Sequence, residues 1–171
     1  MKTETSREVA AIVLCAGKGT RMGATVRNKV CTPCAGVPVV RRILANLRAG
    51  GVSRFVVVAG YRAESVMRAL DGERGVLFAY QKEQLGTGDA TRCGLRVLQD
   101  VGHNGPVVVT MGDKIVSTRL VRELLSADDS ALAVCGVQRR EEHPSGGHVV
   151  MDGDRAHARA LARAQHDCGG R

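Results

Sequence analysis

Val9-Ala10-Ala11-Ile12-Val13-Leu14-Cys15 runs without a break into Ala16-Gly17-Lys18-Gly19-Thr20-Arg21-Met22-Gly23. The first half is an almost continuous apolar run of strand length, the pattern of a strand buried on both faces. The second half is a glycine-rich turn that carries two cations. Gly17 and Gly19 remove side chains, so backbone N–H groups can face an anion at close range. Lys18 and Arg21 add full charges, and the planar fork of Arg21 matches two phosphate oxygens. A strand delivering such a loop is suited to a triphosphate. The competing reading is an ordinary strand-to-loop connection.

Spacing excludes two commoner phosphate loops. A Walker loop needs a glycine five residues before its Gly-Lys and Ser or Thr directly after the Lys. Here Ile12 stands in the early glycine's place and Gly19 follows Lys18. The dinucleotide fingerprint Gly-x-Gly-x-x-Gly is missed by one residue, because Gly23 lies four positions after Gly19.

Outward from this loop, strand and helix patterns alternate. Residues 38–47 place apolar side chains at 40, 43, 44 and 47, which is helical periodicity opened by Pro38 and closed by Gly50-Gly51. Residues 54–59 read as a strand, 63–70 as a helix, 76–80 as a short strand and 88–98 as a helix. Residues 106–111 form the next buried strand, 118–125 the next helix and 131–137 a further strand. Val149-Val150-Met151 is a short strand before a turn at Asp152-Gly153-Asp154, and the alanine-rich stretch 156–165 favours helix. Repeated βα units imply a mostly parallel sheet covered by helices on both faces, with ligands at the carboxyl ends of its strands. The glycine loop and Asp113 both follow strand C-termini and are expected to converge.

Several motifs, taken in order, resemble the sugar-1-phosphate nucleotidyltransferases. Leu14-Cys15-Ala16-Gly17-Lys18-Gly19-Thr20-Arg21-Met22 is similar to that family's Leu-Ala-Ala-Gly-x-Gly-Thr-Arg-Met signature. Asn28-Lys29-Val30 stands where the family has Pro-Lys-Val or Pro-Lys-Pro, and Pro33-Cys34-Ala35-Gly36-Val37-Pro38 matches its Pro-x-x-Gly-x-Pro. Gln81-Lys82-Glu83-Gln84-Leu85-Gly86-Thr87-Gly88-Asp89-Ala90 resembles the Gln-x-x-x-Leu-Gly-Thr-Gly-x-Ala segment of the uridylyltransferases that act on N-acetylglucosamine 1-phosphate. Val107-Val108-Val109-Thr110-Met111-Gly112-Asp113 is similar to the strand that presents the family's metal-binding aspartate. The resemblance implies an α/β, three-layer Rossmann-like fold.

It also implies nucleotidyl transfer: a sugar-1-phosphate oxygen attacks the α-phosphorus of an NTP, UTP by the Gln81–Ala90 segment, and pyrophosphate leaves. Such a reaction depends on positioning and charge neutralisation. The implied catalytic residues are Arg21, toward the leaving β- and γ-phosphates, and Lys29, at the reacting phosphates. Leu14, Ala16, Gly17, Lys18, Gly19 and Thr20 would hold the nucleotide, with Gln81, Gly86 and Thr87 reading the base. A Gln amide carries both donor and acceptor for that purpose. Asp113 would hold Mg²⁺, which needs only one or two carboxylates beside substrate phosphates. Its alternative is a turn or helix-capping role before Ser117; that of Gln81 is a surface residue at a strand end. Lys114, directly after Asp113, is unusual for the family and could pair with the carboxylate or with phosphate. Pro144-Ser145-Gly146-Gly147-His148-Val149 resembles a shortened sugar-contact loop, with Gly147 as the substrate-binding candidate.

Two departures bear on turnover. The family's sugar-binding Glu has no counterpart in residues 160–164, and its second metal ligand, an Asn far downstream, would fall beyond Arg171. The expectation is a single domain over residues 1–171 that lacks the C-terminal part of the family domain. A further domain or a homo-oligomer would then complete it, and nucleotide binding is better supported than turnover. Two other readings stand beside the NDP-sugar enzyme. One is cytidylyl or guanylyl transfer to a non-sugar phosphate or cofactor; the other is a non-catalytic nucleotide-binding module.

Composition sets outer bounds. The 171 residues, 44% of them hydrophobic, can bury one real core. No apolar run approaches the ~20 residues of a membrane span, and the polar opening residues 1–8 lack a signal peptide's apolar stretch, so the expectation is cytoplasmic. A net charge of +8 permits nucleic-acid binding, but Lys and Arg are scattered. Only two Phe, two Tyr and no Trp are available to stack on bases. Cys31-Thr32-Pro33-Cys34 is formally CxxC, yet no second ligand pair has zinc spacing, and Gly36 and Pro38 interrupt the helix of a thioredoxin motif. Small buried thiols account better for both.

Overall fold

A computed structural model describes residues 8–19, 27–126, 150–152 and 155–157, the last two segments by backbone alone. All six residues of β1 (Ala10–Cys15) are buried, as the unbroken apolar run requires. The strand has parallel neighbours on both sides: β4 (Arg54–Ala59) and β6 (Val107–Met111). With β5 (Val76–Tyr80) beyond β4, the order is β5-β4-β1-β6 and every pairing is parallel.

The strand period of two divides the core into layers. Ala11, Val13 and Cys15 of β1, with Phe55, Val57 and Ala59 of β4, face one way. They pack on helices α1 (Val39–Ala49), α2 (Ala63–Ala69) and α4 (Thr118–Leu125). Ala10, Ile12 and Leu14, with Val56 and Val58, face the other way onto α3 (Thr87–Asp100). This is the expected three-layer arrangement. The chain builds outward from β1 to β4 and β5, then returns across α3 to place β6 on the other flank of β1. Right-handed crossovers in opposite directions put α3 on the opposite face from α1 and α2. The direction reverses between β1 and β6, and the carboxyl ends of strands at such a switch point are the usual ligand position in these sheets.

The helix of 38–47 is α1, buried through Val40, Ile43, Leu44 and Leu47, with Pro38 at its N-cap position. Ser117 caps α4 by accepting from Leu120 N at 3.2 Å. Between the glycine loop and α1 lie elements that periodicity does not reveal: a 3-10 turn at Lys29–Cys31 and a ribbon of β2 (Pro33–Cys34) with β3 (Val37–Pro38). The ribbon turns through Ala35 and Gly36, both at positive φ (48° and 79°), the pattern of a two-residue hairpin loop.

That ribbon corrects one expectation. Cys31 is buried on the core side of the 3-10 turn, but Cys34 is exposed, because β2 belongs to a separate two-stranded ribbon outside the four-stranded sheet. Cys15 is the opposite case. Burial pushes its thiol pKa well up from the ordinary 9.0, with Cys31 and Asp113 adding to the shift and Lys29 opposing it. The unfolded thiol therefore ionises first, so the stability tied to a neutral Cys15 is complete below pH 9.0 and declines above it. At pH 8, iodoacetamide is expected to label Cys34 while Cys15 stays unmodified until unfolding, as read by peptide mapping. Rapid labelling of Cys15 in the folded chain would contradict its burial.

The chain divides into two units, Met1–Ala127 and Asp128–Arg171. The described part of the second is a hairpin of β7 (Val150–Asp152) and β8 (Arg155–His157), with Val150 opposite His157. The helix expected over 156–165 is corrected at its start: residues 156 and 157 pair as strand, because pairing with β7 overrides the intrinsic helical preference of alanine. Residues 158–165 and the strand expected at 131–137 lie outside the described residues. No helix among the described residues is long and apolar enough to cross a membrane.

Candidate active site

Two backbone bonds and one from a side chain hold the carboxyl end of β1 in place. Gly112 N donates to Leu14 O at 2.9 Å, Tyr61 N to Ala16 O at 3.1 Å, and the Asn28 side chain to Cys15 O at 2.9 Å. Leu14 and Ala16 are buried with the α3-side core, and their carbonyls are engaged. Among the described residues of the loop, Gly17 and Lys18 are exposed and Gly19 is half-buried. Gly19 adopts φ +64°, and a Cβ placed on it would lie 3.2 Å from Cδ of Lys29, so the loop backbone runs directly against that lysine.

Lys29 is aimed by Asn28. The Asn28 side chain is 1% exposed, caps the 3-10 turn by accepting from Val30 N at 3.2 Å, and donates to both Cys15 O and Tyr61 O, the latter at 2.8 Å. Its backbone N donates to Ser65 Oγ at 3.1 Å. One buried amide thus fastens the Lys29 turn to the ends of β1 and β4. Where the resembled family has a proline, this chain substitutes a hydrogen-bonded anchor. Motif matching missed that role; the signal was an Asn standing immediately before a helical turn.

From β6, Gly112 brings Asp113 to the same place. A Cβ at Gly112 would meet Cys15 Sγ at 2.4 Å and Leu14 O at 3.0 Å, so only glycine permits this approach. Lys29 Nζ then donates to Asp113 Oδ2 at 2.5 Å, with the two side chains 26% and 32% exposed. The carboxylate's partner is Lys29 rather than the adjacent Lys114. Capping of α4 belongs to Ser117, so of the two structural alternatives for Asp113 the turn after β6, where it sits, is the one that remains. A divalent cation at this strand end would share the carboxylate with Lys29 or displace it from Oδ2. Among the described residues no group of three or more His, Cys, Asp or Glu could hold a metal by itself.

Gln81 occupies a second cluster, at the end of β5. It is 3% exposed rather than a surface residue. Its backbone N donates to Ala59 O at 2.8 Å, while Nε2 donates to Gly86 O at 3.2 Å and Asp89 Oδ2 at 2.9 Å. Gly86 reaches this geometry at φ 100°, ψ −178°, a region essentially reserved to glycine. Thr87 opens α3 and is exposed. Arg92 pairs with the other Asp89 oxygen at 2.7 Å. The Gln81 hydrogen bond, then that of Arg92, holds the Asp89 carboxyl below the usual carboxylate range.

Lys29, Asp113 and Gly19 are thus brought together, and Gln81 with Gly86 forms its own cluster at the same end of the sheet. Lys18 is exposed on the loop. Thr20, Arg21 and Gly147 lie outside the described residues.

The arrangement has relatives. Residues 11–171 match the family model described as the MobA-like NTP transferase domain. The chain is 38% identical over 149 residues to the bifunctional protein GlmU of Geotalea uraniireducens, covering 85% of this chain and 32% of that protein. It is 37% identical over 149 residues to GlmU of Geobacter sulfurreducens, covering 85% and 31%. The chain therefore spans about a third of the length of these curated relatives. Among solved structures, a nucleotidyl transferase from Methanothermobacter thermautotroptrophicus superposes with a TM-score of 0.59 at 24% identity, covering 70% of this chain and 57% of that one. A Mycobacterium tuberculosis protein in complex with manganese gives 0.51 at 21% identity, covering 69% and 58%. At these identities the two solved structures bear on the fold alone. The family match runs from β1 to the last residue, and with it the chain belongs to the MobA-like NTP transferase domain family.

Proposed function

We propose that this nucleotidyltransferase domain moves a uridylyl group from UTP to a sugar 1-phosphate of the N-acetylglucosamine 1-phosphate kind, releasing pyrophosphate. The observation that carries this reading is the meeting of Gly19, Lys29 and Asp113 at the carboxyl ends of β1 and β6. The identity to GlmU proteins over 85% of the chain supports it.

A phosphate oxygen of the sugar 1-phosphate attacks the α-phosphorus in line; the bond from α-phosphorus to the bridging oxygen breaks, and pyrophosphate departs with that electron pair. The chain's part is to hold these groups in line and meet the developing charge. Backbone N–H groups of residues 17–19 face the triphosphate, and Lys18 and Arg21 neutralise its β- and γ-phosphates. Lys29 supplies its charge at the reacting phosphates. Asp113 would hold Mg²⁺, which supplies Lewis-acid neutralisation of phosphate oxygens when bound. Gln81, Gly86 and Thr87 read the base, and Gly147 contacts the sugar.

Calorimetry with Mg²⁺ present is expected to show UTP binding more tightly than ATP or GTP. Arg21→Ala should weaken it by ~10-fold or more, since a hydrogen bond to a charged group is worth about 1.5–3 kcal/mol. Equal or tighter purine binding would overturn the uridylyl assignment in favour of guanylyl-type transfer. Unchanged UTP affinity in the Arg21 variant would remove the loop from the site.

A further inference from the structure

We propose that Asp89 is a specificity-determining residue: it fixes which side of the Gln81 amide meets the base, and so selects uracil over cytosine. The proposal rests on the base-reading role of Gln81 given above.

An amide nitrogen carries two hydrogens, and both of Gln81's are committed, one to Gly86 O and one to Asp89 Oδ2. Both partners accept only, so reversing the amide would set its oxygen against two other oxygens. The side chain is therefore locked in one sense, and the group it can offer a ligand is the Oε1 acceptor. Uracil presents a ring N3–H donor on its reading edge. Cytosine presents a bare N3 acceptor there. An acceptor held rigidly at this position favours the first and repels the second, and an unmatched polar pair in a buried site discriminates strongly.

The lock is built around Asp89. The residue lies in the first turn of α3, where the helix N-terminus favours a carboxylate. Arg92, one turn on, holds the oxygen that Gln81 does not use. These two partners keep the carboxyl ionised, and hence purely accepting, through the neutral range. Asp89 fills the position that the uridylyltransferase-like segment leaves open (Gly-Thr-Gly-x-Ala).

The test is competition binding of UTP and CTP, with Mg²⁺, to the full chain and to the variants Asp89→Ala, Asp89→Lys and Gln81→Leu, each checked for an intact thermal melt. The unmodified chain is expected to prefer UTP by at least ~10-fold. Asp89→Ala removes the acceptor and should shrink that ratio several-fold. Asp89→Lys places a donor opposite Gln81, which favours the reversed amide, and should shrink it further. A merely structural role would weaken both nucleotides alike and leave the ratio in place. If Gln81→Leu collapses the ratio while both Asp89 variants keep it, the proposal for Asp89 is overturned and the base site stands. If Gln81→Leu itself leaves the ratio intact, the base-reading role of Gln81 fails and the proposal falls with it.

Discussion

Asp113→Asn is expected to lower pyrophosphate release by ~100-fold or more while reducing UTP affinity by less than ~10-fold. The substitution keeps the shape and one acceptor oxygen but removes the charge that now faces Lys29 at 2.5 Å. In the bound state that charge would hold Mg²⁺ against the phosphates, and losing one preorganised electrostatic contact at the reacting centre typically costs ~10²–10³ in rate. On the proposed reading, ground-state binding is spread over the residue 17–19 backbone, Arg21 and the base cluster, so it should change much less. The Lys29–Asp113 pair itself is partly exposed and contributes little to folding. Single-turnover pyrophosphate release beside calorimetry separates these effects. Turnover within threefold of the unmodified chain would place the reaction elsewhere.

Much of the sheet was legible because its residues obey one period at a time. The strand at 76–80 and the helix at 118–125 fall where alternation and helical spacing put them, the helix with Ser117 as its cap. The segment 28–38 was not legible in the same way. Its ribbon turns through Ala35 at φ 48°, and alanine carries no signal for that conformation. Asn28 reads from sequence as a lost proline, whereas the fold uses it as a buried three-way anchor whose acceptors come from β1 and from the loop after β4.

Within the site, the strand-end position of Asp113 and the motif around Lys29 pointed to both residues. Their pairing spans 84 positions and follows only from the β1–β6 adjacency. Asp89 illustrates another limit. An acid in the first turn of a helix has a sufficient explanation in the helix dipole, which conceals its second use against Gln81.

Gly112→Ala tests the close approach on which the Lys29–Asp113 meeting depends. The new Cβ would fall 2.4 Å from Cys15 Sγ, 3.0 Å from Leu14 O and 3.2 Å from Val30 Cγ1, in a buried region where β1 cannot withdraw without breaking its ladders to β4 and β6. Overpacking of this kind costs about 1–3 kcal/mol, which for a chain of this size lowers Tm by several degrees. Turnover should fall further than the loss of stability explains. The displaced strand end carries Asp113, and a misplacement of ~1 Å at a reacting centre can cost ~100-fold. The cycle is closed with Cys15→Ala, which removes the nearest of the three obstructing atoms. Alone it should destabilise by about 1 kcal/mol, as deletion of a small buried group does. Combined with Gly112→Ala, the total should be smaller than the sum of the singles by about 1 kcal/mol, because the main clash is gone. Part of the lost turnover should return with it. Simple additivity in denaturant melts would mean that Gly112 acts through its backbone freedom rather than through the space it leaves for Cys15.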